Sequence, residues 1–187
     1  MRMSFYSVLV FTHIAAAFFL FGGLLLEWIV IGFLRRNPEL APFRAWARIF
    51  TLAPRLYGPA LGVILLSGGY LGAQMSAWAQ GWIRVSFVTL FVIGAIGGLT
   101  SSRLGIIRTL LGEATDSSTR ILPAKVNDPI LIASVRMRIA LVFGVVLLMV
   151  SKLPLEPSVA VIAIAAAIGV IAALPAWKGR AQRHSAV

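Results

Sequence analysis

Two ionisable residues, His13 and Glu27, stand inside the first long apolar run of the chain. An imidazole or a carboxylate at membrane depth is costly, so it marks an ion pair, a proton relay or a ligand site. His13 can ligate haem iron through a neutral ring nitrogen or pass a proton. It can equally be a histidine bonded to a carbonyl or hydroxyl of a neighbouring helix. Glu27 has Arg55, Arg103, Arg136 and Arg138 as candidate partners. Paired, it fixes helix register; otherwise it suits proton-coupled transport. Arg136 and Arg138 also have the reach to snorkel to the interface. Tyr57 joins Glu27, Arg55 and Arg103 as candidates for a polar interior. The other histidine, His184, lies near the C-terminus and cannot reach the same site, which argues against bis-histidine haem ligation within one chain. No serine–histidine–acid set, carboxylate pair or metal-ligand cluster emerges from the spacing, which favours a non-enzymatic reading. A single histidine with no thiolate is poor material for a metal transporter.

The elements that position these residues follow from composition. Of 187 residues, 59% are hydrophobic and 12% charged. Soluble domains carry about a quarter charged residues, so lipid must be the solvent for much of this chain. The net charge of +11 comes from basic residues set between apolar runs. There they act as topology signals and meet anionic lipid, so no nucleic-acid partner is expected. No cysteine is present, which excludes disulfides and thiolate metal sites.

Five apolar runs read as transmembrane helices in an all-α bundle: residues 4–34, 54–73, 83–107, 129–151 and 158–177. They form one domain over 1–177, with a basic, fraying tail at 178–187. Ala45, Trp46, Ile49 and Phe50 have the spacing of a short interfacial helix before the second span. Pro59 is expected to kink that span. The loop at 74–81, with Trp78, reads as a hairpin turn at the membrane surface. In the first span, fourteen residues separate His13 from Glu27. That leaves them within about 40° of one face and about 21 Å apart along the axis. Leu20, Leu24 and Ile31 lie on or near the same stripe, which should face spans two to four.

In lipid, helices associate through close packing and interhelical hydrogen bonds. Gly58–Gly62 and Gly68–Gly72 in span two, with Gly94–Gly98 in span three, have GxxxG spacing. Spans two and three are therefore expected to be the tightest pair. Span five is apolar all round, which suits a peripheral helix facing lipid or a homo-oligomer contact.

Thr12-His13-Ile14, followed by Phe21-Gly22-Gly23-Leu24, resembles the first helix of HemJ-type and copper-resistance D-type bacterial membrane proteins. The resemblance continues in Arg55-Leu56-Tyr57-x-Pro59-Ala60, Ser67-Gly68-Gly69 and Gly81-Trp82-Ile83. Arg136-x-Arg138 with Leu148-Met149-Val150-Ser151-Lys152 resembles an uncharacterised group of bacterial predicted integral membrane proteins. Together these motifs cover most of residues 4–152. The HemJ-type likeness implies a haem- or porphyrin-binding bundle that uses His13. At the place of that family's lysine, near Ser86, no lysine stands, and Glu27-Trp28 replaces its proline-arginine. The bacterial likeness implies residence in the cytoplasmic (inner) membrane.

Charge gives the bundle a direction. About fourteen basic residues, among them Arg35, Arg103 and Arg136, fall on one face, and about three on the other, Arg2, Arg84 and Lys152. The positive-inside rule places the N-terminus outside and the C-terminus inside. A cysteine at Gln80→Cys is expected to react with impermeant maleimide added to the outside of cells. Labelling only after the cytoplasmic face is exposed would reverse the orientation.

Overall fold

The computed structural model describes residues 4–36, 40–113 and 125–184. It consists of helices α1 (Phe5–Arg36), α2 (Leu40–Gln74), α3 (Gly81–Glu113), α4 (Pro129–Ser151) and α5 (Leu155–His184), with a 3-10 turn at Ala77–Ala79. No strand occurs among the described residues. All five helices contain a stretch long and apolar enough to cross a membrane: Phe5–Phe33, Pro54–Gln74, Gly81–Ile107, Pro129–Ser151 and Leu155–Pro175. These agree with the expected spans to within a few residues. The polar segment around Asp116 and Arg120 lies outside the described residues.

Two boundaries differ from expectation. The interfacial helix expected around residues 45–50 is continuous with the second span, so α2 is 35 residues long. At about 1.5 Å per residue it exceeds a hydrocarbon core of about 30 Å by some 20 Å. It also runs through Pro54 and Pro59 without interruption. The basic tail, expected to fray, stays helical to His184.

Tight turns join α2 to α3 and α4 to α5. Ser76, in left-handed conformation (φ 49°), leads from α2 into the 3-10 turn. Trp78 closes that turn with its ring edge-on to Phe87, at 5.1 Å between centroids. Between α4 and α5, Lys152 adopts φ 50° and its N–H caps the Leu148 carbonyl. Pro154 follows, and the buried Ser158 hydroxyl donates to the carbonyls of Leu153 and Pro154. α4 opens with Asp128 accepting from the Ile130 N–H and with Pro129 in the first turn. There the proline's missing N–H costs nothing.

The packing order corrects the glycine reading. α2 lies chiefly along α1, α5 along α4, and α3 against α4, while α2 and α3 meet more sparsely. A Cβ added at Gly58, Gly62 or Gly98 would meet no atom within 4 Å. These glycines do not cement two helices. Gly94 does touch α2, where the end of Leu61 would stand 2.9 Å from an added Cβ. Close helix approaches lie instead between α4 and α5 and where α3 starts beside α5. At Gly169 a Cβ would come 3.0 Å from the Cα of Met137, and at Gly144 it would come 3.0 Å from Ala165 and Ile162. At Gly81 it would lie 2.3 Å from the Leu155 backbone.

The core is divided. One apolar cluster joins Val30, Ile31, Ile107, Val126, Leu131, Ile132 and Val135 at the end of the bundle rich in arginine. The other, larger, gathers Leu20, Leu24, Tyr57, Ile64, Ile93, Leu141 and Val145 further into the membrane. α4 is the most buried span and α5 the least, so α5 is peripheral.

Two substitutions separate close approach from mere glycine content. Gly81→Ala should destabilise the protein by about 1–3 kcal/mol, because the clash is with backbone that cannot step aside. Gly62→Ala should be neutral or stabilising by up to about 1 kcal/mol, the gain in helix propensity. Thermal unfolding in detergent, followed by circular dichroism, checks both.

Candidate functional site

At the junction of the two core clusters, Arg138 of α4 donates from Nη2 to Glu27 Oε1 of α1 at 2.9 Å. Both side chains are sealed, at 1% and 0% exposure. Helical spacing explains why Arg138 and not Arg136 takes this place. Two residues turn a helix by about 200°, so the two arginines face opposite ways. Arg138 enters the core, and Arg136 donates to the Ala172 carbonyl of α5. Neither simply snorkels, and Arg138 in particular has no exposed surface.

The pair has further support. Arg138 Nε donates to the Ser134 carbonyl at 3.4 Å, and the guanidinium carbon stands 5.2 Å from the centre of the Tyr57 ring. A cation over an aromatic face is attracted by the ring's quadrupole, more so when desolvated. Gly97 borders the arginine, and a Cβ there would sit 3.4 Å from Nη1, an ordinary contact. Tyr57 thus belongs to the polar interior. Arg55 does not, because it is exposed. Arg103 ion-pairs with Asp128 in the segment leading into α4, with 43% of its side chain exposed. In the same segment Asn127 accepts from Arg35 Nε at 3.0 Å.

His13 is half-buried, and its Nδ1 lies 2.9 Å from the Ser67 hydroxyl of α2. That hydroxyl also stands 2.5 Å from the Val63 carbonyl, to which it donates. With the serine proton committed there, Nδ1 is the donor to Ser67 and the ring is held as the Nδ1–H tautomer. Gly68 gives the ring room, because a Cβ there would fall 3.0 Å from His13 Cε1. A fourth tie joins Thr100 of α3 to Ser134 of α4 at 2.7 Å. The four contacts α1–α2, α1–α4, α3–α4 and α4–α5 therefore each carry a polar bond.

α2 and α3 diverge around a cavity of about 280 Å³. It is lined by Leu20 and Leu24 of α1, Tyr57, Gly58 and Leu61 of α2, Gly94, Gly97, Gly98 and Ser101 of α3, and Arg138 of α4. His13 does not line it. The glycines expected to bind helices together instead leave this space open. Among the described residues, no group of three or more His, Cys, Asp or Glu is placed to hold a metal ion.

A helical bundle with five apolar spans and a sealed ion pair between two of them defines a polytopic integral membrane protein. The model of the family DUF2269, described as a predicted integral membrane protein, matches residues 7–153, and the chain belongs to that family. The match covers α1 to α4 with Glu27, Arg138 and His13, and ends before α5. It agrees with the resemblance to predicted integral membrane proteins and lends no support to the HemJ-type likeness. No curated protein and no solved structure matches the chain.

Removing one partner of a buried pair strands the other charge, at a cost of about 3–5 kcal/mol. Glu27→Ala or Arg138→Ala should therefore lower the folded yield severely. Glu27→Gln/Arg138→Met, which removes both charges, should be milder than either single change. Folded yield and melting in detergent read this out, and additive single effects would contradict the pairing.

Proposed function

We propose that this protein is a non-enzymatic bundle of the bacterial cytoplasmic membrane that acts by binding within the membrane plane. The observation that carries this reading is the engagement of its ionisable groups. Glu27 is fastened to Arg138 across α1 and α4, and His13 to Ser67 across α1 and α2. Groups held in this way fix helix register. A carrier that cycles protons through Glu27 would have to break the buried pair at every turnover. The arginine-rich end faces the cytoplasm and anionic lipid, as the positive-inside asymmetry requires.

Haem or porphyrin on His13 is the competing reading. One feature speaks for it: a ring fixed through Nδ1 presents Nε2 as the ligating nitrogen. Against it, the 280 Å³ cavity lies further along α1, beside Leu20 and Leu24, and the Ser67 bond already gives His13 a packing role.

Purified from haem-replete cells, the protein is expected to show no Soret band. His13→Ala and Ser67→Ala should each destabilise it by roughly 1 kcal/mol, the worth of an interhelical hydrogen bond. The double variant should cost less than the sum. A Soret band lost in His13→Ala would overturn this reading in favour of haem binding.

A further inference from the structure

On the arginine-rich side of the Glu27–Arg138 pair, a groove runs between α1 and α4. Trp28, Gly32 and Arg35 line it from α1, and Ile132, Val135 and Arg136 from α4. The spacing is helical on both walls, so each helix gives one stripe. Ile132 and Val135 are buried and make an apolar floor, while Trp28 is half-exposed. Nothing lies within 4 Å of a Cβ placed at Gly32, so the groove stays open there. Arg35 is exposed and Arg136 partly so.

The groove lies at the border of the hydrocarbon. The apolar stretch of α1 ends at Phe33, two residues before Arg35 and five after Trp28. Arg136 donates to the Ala172 carbonyl, three residues before the apolar stretch of α5 ends at Pro175. Three residues of helix are about 5 Å. Tryptophan favours this level of the membrane. The floor and Trp28 therefore face acyl chains, and the guanidinium groups stand where lipid head groups begin.

Charge selects among lipids. Among the described residues Arg136 takes part in no ion pair, and a hydrogen bond to a carbonyl leaves its charge in place. No Asp or Glu lines the groove. Glu27 and Asp128 are held by Arg138 and Arg103. A phosphate satisfies such a guanidinium in both charge and hydrogen bonding. The enclosed part of the groove is about 40 Å³, room for roughly three waters or one phosphate-sized group. A zwitterionic head would add an ammonium group with no carboxylate to receive it. We infer that the groove between α1 and α4 holds one phospholipid of net negative charge. Its phosphate accepts from Arg136, with Arg35 beside it, and an acyl chain runs past Gly32 and Trp28. Basic loops draw anionic lipid diffusely, whereas this is a discrete site between two spans. The inference rests on the binding role proposed above and gives that role a partner class.

Native mass spectrometry of the full chain in an uncharged detergent tests it, with phosphatidylglycerol, phosphatidylethanolamine and inorganic phosphate as probes. The first phosphatidylglycerol should bind about fivefold more tightly than the first phosphatidylethanolamine, and inorganic phosphate should neither bind nor compete. Arg136→Gln should bring the two lipids to equal affinity. Arg55→Gln removes the same charge from an exposed position outside the groove and should leave the preference intact. Gly32→Leu keeps every charge and fills open space, so the melting temperature should hold while the preference is lost. Equal binding of the two lipids to the unaltered protein would overturn the inference. So would equal losses in Arg136→Gln and Arg55→Gln, the mark of diffuse attraction. Displacement of the lipid by inorganic phosphate would make this a site for a soluble anion and overturn it too. A preference kept in folded Gly32→Leu overturns it even where Arg136→Gln fails to fold. The wider binding role is judged apart from it, by the absorption spectrum and the His13–Ser67 coupling.

Discussion

A carboxylate and a guanidinium that share no surface with lipid or water hold the architecture to one arrangement. Glu27 and Arg138 meet at 2.9 Å between two apolar clusters. Each is tolerable at that depth only while the other is in place. This condition fixes the rotation of α1 and α4 about their axes and their relative height. Leu20, Leu24 and Ile31 are buried along the Glu27 side of α1, and Val135 and Leu141 next to Arg138 on α4. Hydrophobic packing between helices in lipid has little directional preference, so a pair of this kind sets register where apolar contact would allow sliding.

Around the pair the other helices attach by short polar ties and close backbone approach. α2 comes in through His13–Ser67 and Gly68, α3 through Thr100–Ser134, and α5 through Gly144, Gly169 and the Arg136–Ala172 bond. The space left between α2 and α3 is lined by Gly58, Gly94, Gly97 and Gly98.

The spans were legible in the sequence because a bilayer demands unbroken apolar runs of a set length, and nothing in tertiary packing can override that demand. The stripe of His13, Leu20, Leu24, Glu27 and Ile31 was legible too, since helical periodicity alone places it. The partner of Glu27 was narrowed to four arginines and no further. Choosing Arg138 over Arg136 depends on which side of α4 meets α1, and no local pattern encodes that. Arg55 and Arg103 have the right depth in sequence but lie toward the arginine-rich end, one exposed and one tied to Asp128. The glycine pattern misled for a related reason. GxxxG spacing declares one smooth helix face without saying what covers it, and at Gly58 and Gly98 the face borders a recess. The true close contact had its own signal in the small-xxx-small series Ala140, Gly144 on α4 and Ala165, Gly169, Ala173 on α5.

The partners of the central pair are 111 residues apart in the chain, and this separation bears on how the protein is made. A membrane protein enters the bilayer span by span during synthesis. Glu27 is therefore inserted with α1 while Arg138 is still untranslated. The strongly apolar flanks of Glu27 must carry the carboxylate in without its counter-charge, and α1 cannot settle into its final rotation until α4 arrives. Assembly of this bundle is thus a late event, gated by the fourth span.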